Sequence, residues 1–218
     1  MLKKPNAILF DLDGTLLDTA RDLGNALNQI LMGLKRPNVA YDVYRNIASD
    51  GAKGMLELGF GEDLKNYDFA SLRQQFLDYY ENNICVETKY FMGVESLLLA
   101  LNHHNIPWGI VTNKPEFLTL QLVTSFPLLQ KCGVIISGDT LSERKPHPLP
   151  LLHAEAKLDL VSPNTWYVGD AERDIQAANS ANMHSVIAQY GYISDIQQTN
   201  GWNADLSIHS PSELLDYF

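Results

Sequence analysis

The sequence of 218 residues is poor in cysteine and carries no excess of positive charge. Its two cysteines, Cys85 and Cys132, lie far apart in apolar surroundings. We therefore expect two reduced, buried thiols rather than a disulfide or a cysteine metal site. Lys and Arg number 16 against 26 Asp and Glu, which gives a formal net charge of −10. Nucleic acid and anionic membranes attract basic surfaces, so neither is expected as the main partner.

The sequence also contains no long apolar run. A membrane-spanning helix needs about 20 consecutive apolar residues, and no segment approaches that length. The segment before the first apolar run is too short for a signal peptide, so we expect a cytoplasmic protein. The chain is long enough for one large domain or two small ones.

Short apolar runs do occur, and they alternate with helical patterns. We predict strands at residues 7–10, 108–111, 134–136, 166–168, 185–188 and 206–208. Helices are predicted at residues 115–126, from about residue 148, and at the end of the chain. Repeated strand–helix units favour an α/β fold with a doubly wound parallel sheet, that is, a Rossmann-like core.

The alternation is interrupted after the first strand, where only helical patterns follow. This predicts a core of residues 1–17 and 89–218, with an all-helical cap domain inserted at residues 18–88. Thr19 and Asp22 resemble a capping box at the start of the first helix. The glycine-punctuated segment 49–54 predicts a loop within the insert.

Asp11 and Asp13 directly follow the first predicted strand. Residues two apart on an extended chain point the same way, so both carboxylates should leave the carboxyl end of the strand together. Ligands of open α/β sheets bind at that edge. Two adjacent carboxylates repel each other unless a cation or a shared proton compensates. The pair therefore predicts a divalent metal site with one carboxylate left for chemistry, and an ordinary turn or helix cap is the alternative.

The ends of further predicted strands also carry polar residues. A hydroxyl at Thr112 could donate to an anionic oxygen, and Asn113 could orient a neighbour. Lys145, in a proline-stiffened segment, could neutralise a phosphoryl group and a carboxylate. Asp170 and Asp174 supply the carboxylate oxygens that Mg²⁺ prefers. Each has an ordinary alternative as a turn, a cap or a surface lysine, but their joint occurrence favours one reaction centre.

These segments resemble, in order, the four motifs of the haloacid dehalogenase-like hydrolase superfamily. The matching segments are residues 10–16, 111–113, 145–148 and 169–174. The helical insert resembles the cap of the phosphoglycolate phosphatase type. Shorter stretches are similar to N-acetylmuramate 6-phosphate phosphatases, namely residues 51–55, 108–115 and 190–193.

The resemblance implies a Mg²⁺-dependent phosphatase that forms an aspartyl-phosphate. Asp11 would be the nucleophile, and Asp13 would first protonate the leaving oxygen and then activate water. Mg²⁺ would be held by the Asp11 side chain, the Asp13 backbone carbonyl and the Asp170 side chain. Asp174 would support the metal indirectly, by orienting the groups that bind it. An acid at position 13 favours phosphate chemistry over dehalogenation, because a halide needs no proton to leave.

The same resemblance implies the residues that bind substrate. Thr112 and Lys145 would contact phosphoryl oxygens, and Asn113 is a further candidate. Lys53, in the predicted loop of the cap, is the candidate for a substrate carboxylate or hydroxyl, and a solvated surface lysine is its alternative.

The sequence leaves more than one substrate open. We expect a small phosphorylated metabolite, with phosphoglycolate favoured and N-acetylmuramate 6-phosphate as an alternative. A sugar phosphomutase of the β-phosphoglucomutase type and a non-catalytic binding protein on the same fold are further alternatives. No nucleic acid or membrane partner is expected, and the protein should be a monomer or a homodimer.

Overall fold

A computed structural model describes residues 3–160, 164–193 and 196–218, without the side chains of residues 196–198. The chain forms two compact units. The first consists of Met1–Leu17 and Tyr90–Phe218, and the second of Asp18–Lys89. Of the helices in the described ranges, none combines the length and the apolar character that a membrane crossing requires.

The strands follow one another along the chain as short segments. They are β1 (Ala7–Phe10), β2 (Leu17–Asp18), β3 (Lys89–Tyr90), β4 (Trp108–Val111), β5 (Val134–Ile136), β6 (Thr165–Gly169), β7 (His184–Ala188) and β8 (Leu206–Ile208). Within the described residues, six of them form a parallel sheet in the order β5-β4-β1-β6-β7-β8. Strands β2 and β3 pair in a separate two-stranded sheet.

The helices alternate with the strands of the first unit and make up most of the second. The α-helices are α1 (Ala20–Gly33), α2 (Tyr41–Tyr44), α3 (Gly51–Phe60), α4 (Phe69–Asn82), α5 (Val94–His103), α6 (Glu116–Ser125), α7 (Leu149–Lys157) and α8 (Glu172–Ser180). Short 3₁₀ helices cover Arg45–Asp50, Gly61–Asn66, Leu129–Lys131, Ile196–Gly201 and Pro211–Tyr217.

Strand β1 lies in the interior of the sheet, where all four of its apolar residues are fully buried. Burying an Ile, Leu or Phe side chain stabilises a fold by about 1.5–3 kcal/mol, so this run strongly favours a central position. Leu9 of β1 belongs to a buried cluster with Leu151 of α7 and Ala178 of α8. Helices thus cover the sheet, as a parallel sheet requires. The predicted fold class is confirmed.

The strand order reverses at β1. Strands β4 and β5 lie on one side of it, and β6, β7 and β8 lie on the other. Phe10, the last residue of β1, is aligned with Ile110 of β4 and Val168 of β6. The loops that leave these three strands therefore start at the same edge of the sheet, at the switch point where open α/β sheets bind ligands.

Two local predictions for the insert are wrong. Segment 49–54 is not a loop, because Gly51 ends a 3₁₀ helix with φ +61° and α3 begins there. Lys53 therefore lies on a helix. Thr19 makes no side-chain capping hydrogen bond to α1. The carboxylate of Asp22 instead accepts hydrogen bonds from Glu87 and Thr88, so a long-range partner replaces the expected capping box.

The helix predicted at the end of the chain is present as the 3₁₀ helix Pro211–Tyr217. The expectation for the two cysteines needs correction. The two cysteines are thiols, but Cys85 is exposed and Cys132 is half-buried, so neither is the fully buried residue that the apolar surroundings suggested.

Candidate active site

The loop after β1 fixes Asp11 and Asp13. The N–H of Gly14, at φ +87°, donates to the carbonyl of Leu17 at 2.9 Å. The N–H of Leu17 in turn donates to the carbonyl of Leu12 at 2.9 Å. Only glycine adopts this φ without strain. The loop therefore closes on itself and holds both aspartates at the edge of the sheet.

Asp11 is buried and lies beside a cation. Its Oδ1 accepts a hydrogen bond from the N–H of Leu12 at 2.8 Å. The same oxygen lies 3.0 Å from Nζ of Lys145. The ammonium of Lys145 thus lies where it offsets the negative charge of a carboxylate that can act as a nucleophile.

Asp11, Asp170 and Asp174 form a buried carboxylate cluster in which one oxygen of each lies within 4.8 Å of the others. Oδ2 of Asp170 accepts from the N–H of Tyr192 at 2.9 Å. Three carboxylates this close need compensating positive charge. Hard oxygen donors suit Mg²⁺, so the donor set fits that ion.

Asp174 is held on both of its carboxylate oxygens. Oδ2 accepts from the N–H of Ala171 at 3.0 Å, and Oδ1 lies 2.8 Å from Nζ of Lys145. Burial raises the pKa of Asp174, while the charge of Lys145 opposes that shift. Since both oxygens are engaged, Asp174 is suited to support a metal site more than to coordinate the ion.

Lys145 is the cation of this cluster, and its side chain is fully buried. Besides Asp11 and Asp174, its Nζ contacts the hydroxyl of Tyr167 at 2.6 Å and the carbonyl of Val111 at 2.9 Å. An ammonium has three protons, so these acceptors can use all of them. In this arrangement Lys145 chiefly offsets the two carboxylates.

Tyr167, on β6, completes the surroundings of Lys145 and was not found by sequence analysis. Its hydroxyl donates to the carbonyl of Val111 at 2.8 Å. Burial, with the nearby charges of Asp174 and Asp11, raises the pKa of Tyr167 well above its ordinary value. The phenol therefore keeps its proton and can donate while it accepts from Lys145. Its place within a fully buried strand indicates only a core residue, so the sequence gives no signal of this role.

The loop after β4 carries Thr112 and Asn113. Oγ1 of Thr112 accepts from the N–H of Lys114 at 3.2 Å, which leaves the hydroxyl proton for another acceptor. The amide of Asn113 pairs with the backbone of Lys145, donating to its carbonyl at 2.9 Å and accepting from its N–H at 3.1 Å. Asn113 thus joins this loop to the lysine segment. A contact between Asn113 and substrate stays a prediction.

Lys114 was also missed by sequence analysis. Its Nζ lies 3.0 Å from Oδ1 and 3.3 Å from Oδ2 of Asp13. The two side chains are only 5% and 14% exposed. The signal in the sequence is its place directly after Thr112 and Asn113, although most lysines that follow a strand are surface residues.

Two glycines lie against Asp170. A Cβ atom at Gly14 would be 2.1 Å from Oδ2 of Asp170, and one at Gly191 would be 2.4 Å from its Cβ. Any side chain at either position would displace the carboxylate. Gly191 belongs to the stretch 190–193, for which the sequence indicated only a resemblance.

Lys53 belongs to the second unit. Its Nζ lies 3.7 Å from the carboxylate of Glu57, one helical turn away on α3, and its side chain is 71% exposed. An exposed i,i+4 pair of this kind is typical of a solvated helix face. A contact between Lys53 and substrate stays a prediction.

Known proteins similar to this chain include several that are named as phosphatases. The family model described as haloacid dehalogenase-like hydrolase matches residues 8–188. A phosphoglycolate phosphatase of Xanthomonas campestris pv. campestris (strain 8004) is 40% identical over 215 residues, which cover 99% of this chain and 97% of the relative. An N-acetylmuramic acid 6-phosphate phosphatase of Pseudomonas putida (strain KT2440) is 35% identical over 208 residues, covering 95% and 93%. A crystal structure of a predicted phosphoglycolate phosphatase from Haemophilus somnus 129PT superposes with a TM-score of 0.86 at 27% identity, with 99% of both chains covered.

Proposed function

The chain belongs to the haloacid dehalogenase-like hydrolase family, and from this membership we propose that it is a Mg²⁺-dependent phosphatase of a small metabolite. The observation that carries the proposal is the buried Asp11, whose carboxylate lies 3.0 Å from Lys145 and within the carboxylate cluster. Asp11 attacks the phosphorus atom, the alcohol leaves, and water then hydrolyses the aspartyl-phosphate.

The metal is proposed to bind at the cluster. Asp11 and Asp170 would hold Mg²⁺ with their side chains, and Asp13 would add its backbone carbonyl. Asp174 would not bind the ion but would orient the groups around it. When bound, Mg²⁺ would reduce the repulsion between the Asp11 carboxylate and the anionic phosphoryl group. All three carboxylates bring an oxygen within 4.8 Å of the others, and what supports this division is that the two oxygens of Asp174 each have a partner, the N–H of Ala171 and Nζ of Lys145.

The remaining residues bind the phosphoryl group and move protons. Thr112 donates its hydroxyl proton to a phosphoryl oxygen, and Lys145 balances the charge on Asp11 during the attack. A direct contact between Lys145 and a phosphoryl oxygen stays a prediction. Asp13 protonates the leaving oxygen and then accepts a proton from the hydrolytic water. What supports this division is that the Asp13 carboxylate lies against Lys114 and is not part of the carboxylate cluster of the described residues.

The second unit is proposed to act as the cap domain predicted for residues 18–88. It is a compact, mainly helical unit inserted into the chain of the first. A cap of this kind excludes water during the reaction and recognises the part of the substrate that does not react. Lys53 is its candidate contact with a substrate carboxylate or hydroxyl.

Phosphoglycolate is the substrate that we propose first, because a relative described as a phosphoglycolate phosphatase is 40% identical over nearly the whole chain. N-acetylmuramate 6-phosphate is the second candidate, favoured by the relative at 35% identity. The two differ greatly in size, so a single assay separates them.

The test is phosphate release with Mg²⁺ from phosphoglycolate, N-acetylmuramate 6-phosphate and common sugar phosphates. We expect selective turnover of one substrate and a loss of at least about 10³-fold in Asp11→Asn, since the nucleophile is removed. Asp216→Asn makes the same chemical change at an exposed position and should keep full activity.

Two outcomes would contradict the proposal. Phosphate release that is unchanged in Asp11→Asn would exclude the aspartyl-phosphate route. Isomerisation of a sugar phosphate that depends on a sugar bisphosphate, without release of phosphate, would instead identify a phosphomutase.

A further inference from the structure

We propose that Lys114 is a positioning residue for phosphoester cleavage, because it orients the Asp13 carboxyl group, which gives its proton to the leaving oxygen and later takes one from the hydrolytic water. This inference rests on the proposed function, in which Asp13 is the general acid. It gives a role in the reaction to a lysine that lies outside the four motif segments assigned from the sequence.

The contact between the two side chains is close and sheltered. Nζ of Lys114 approaches both oxygens of Asp13, at 3.0 and 3.3 Å. A cation that contacts both oxygens restricts the rotation of the carboxylate as well as its position. With side chains only 5% and 14% exposed, water competes little for the pair. A surface ion pair would not hold its geometry in this way.

The backbone around Lys114 is itself fixed on several sides. Its N–H donates to Oγ1 of Thr112 at 3.2 Å, and its carbonyl accepts from the N–H of Gly138 at 2.8 Å. The hydroxyl of Thr119, on α6, also donates to that carbonyl, at 3.4 Å. Lys114 thus lies in the short segment between β4 and α6, and these hydrogen bonds hold its backbone there.

The two buried lysines of the site contact different aspartates. Lys145 contacts Asp11 and Asp174, whereas Lys114 contacts Asp13. Without Lys114, the Asp13 carboxyl group would lose the contact that engages both of its oxygens, and with it a restraint on its rotation. General acid catalysis needs the acid within about 2.6–3.2 Å of the oxygen that it protonates, so a rotated carboxylate could not transfer its proton.

The leaving group of the substrate distinguishes positioning from a purely structural role. An alkyl phosphomonoester releases a strongly basic alkoxide unless the oxygen is protonated, so its cleavage depends on a placed acid. p-Nitrophenyl phosphate releases a stable phenolate and depends on the acid much less. A variant that is merely less well folded would lose activity on both substrates in equal proportion.

The experiment measures kcat and KM for phosphoglycolate, or for the alkyl phosphomonoester with the highest turnover, and for p-nitrophenyl phosphate. We expect Lys114→Met to lower kcat for the alkyl substrate by about 10- to 100-fold, as part of the 10²- to 10⁴-fold that a general acid contributes. The loss for p-nitrophenyl phosphate should be below about 3-fold, because its leaving group needs little acid assistance. Lys114→Arg, which keeps the charge, should recover most of the alkyl activity.

Controls make the result decisive. Lys157→Met changes an exposed lysine of the first unit in the same way and should leave both substrates unaffected. If Lys114→Met does not fold, as judged by circular dichroism and melting temperature, Lys114→Gln takes its place. Asp13→Asn should show the same bias against the alkyl substrate, because it removes the acid itself.

Equal losses on both substrates in the Lys114 variants, or no loss at all, would overturn the inference while Asp13→Asn keeps its bias. Should Asp13→Asn show no bias, the assigned role of Asp13 would fail, and the positioning role of Lys114 with it. An Asp11→Asn variant with full activity would instead refute the proposed function as a whole.

Discussion

At the scale of single residues, the absence of a side chain at Gly191 permits the observed position of Asp170. A Cβ atom there would lie 2.4 Å from Cβ of Asp170 and 2.4 Å from the carbonyl oxygen of Gly14. The carbonyl oxygen belongs to the backbone, so it cannot move away without a shift of the Gly14 loop. The glycine therefore permits a close approach of two loops on either side of a proposed metal ligand.

We predict that Gly191→Ala weakens the binding of Mg²⁺ more than it destabilises the fold. The concentration of Mg²⁺ for half-maximal activity should rise by about 10- to 100-fold, which is typical when the support of a metal ligand is disturbed. A titration of phosphate release against Mg²⁺ measures the change. Gly201→Ala is the matched control, because a Cβ atom there meets nothing within 4 Å. Equal Mg²⁺ dependence of the two variants would contradict the role of Gly191.

The residues of the site could be predicted from the sequence where strand ends determine them. Asp11, Lys145 and Asp174 follow different strands and meet at 2.8–3.0 Å. Parallel strands bring their carboxyl ends to one edge whatever lies between them, so this proximity needed no knowledge of side-chain packing. Lys114 and Tyr167 are different. A tyrosine within an apolar strand is typical of the core, and only the observed side-chain contacts show that its hydroxyl faces Lys145.

Helix α1 is tied, at the scale of secondary-structure elements, to the segment that follows α4. The buried carboxylate of Asp22 accepts from the N–H groups of Val86, Glu87 and Thr88 at 2.9–3.1 Å. It also accepts from the hydroxyl of Thr88 at 2.7 Å. One carboxylate thus accepts hydrogen bonds from several donors of residues 86–88, a segment that is neither helix nor strand.

Asp22→Ala should destabilise the second unit by about 3 kcal/mol or more, because it leaves several of these donors without a charged acceptor. The measurement is the midpoint of urea unfolding followed by circular dichroism. Asp78→Ala removes an exposed carboxylate that accepts from Gln74, and it should cost less than about 0.5 kcal/mol. Similar midpoints for the two variants would show that the Asp22 contacts contribute little.

The strands of the sheet could be predicted from the sequence, whereas two local features of the helical insert could not. The sheet strands were found because continuous apolar runs bounded by turns have few alternatives in a chain of this size. The capping box at Thr19 was wrong because a tertiary partner captured Asp22. The loop at 49–54 was wrong because glycine signals a break without giving its extent, and here the break is confined to Gly51.

The buried carboxylates should make the stability of the whole molecule depend on divalent metal. An ion that binds only the folded chain stabilises it by about 2.7 kcal/mol at one hundred times its Kd. For a chain of this length we predict a rise in Tm of about 5–10 °C with saturating Mg²⁺, reversed by EDTA. Differential scanning calorimetry measures the change, with NaCl at equal ionic strength as control.

Asp170→Asn should abolish this rise, because it removes a proposed ligand and part of the mutual repulsion. An unchanged Tm of the wild-type protein at saturating Mg²⁺ would contradict a metal site at the cluster. A rise of equal size in Asp170→Asn would place the ion elsewhere.

The pairing of Asp13 with Lys114 joins residues 101 positions apart, and it has a consequence for how the protein is made. During synthesis the nucleophile emerges from the ribosome long before either lysine that contacts the site. Contacts between such distant parts of a chain form late, since the intervening segment must first be ordered. A nascent chain therefore carries exposed, mutually repelling aspartates but no assembled reaction centre, and the ability to cleave phosphate esters appears only once the sheet is complete.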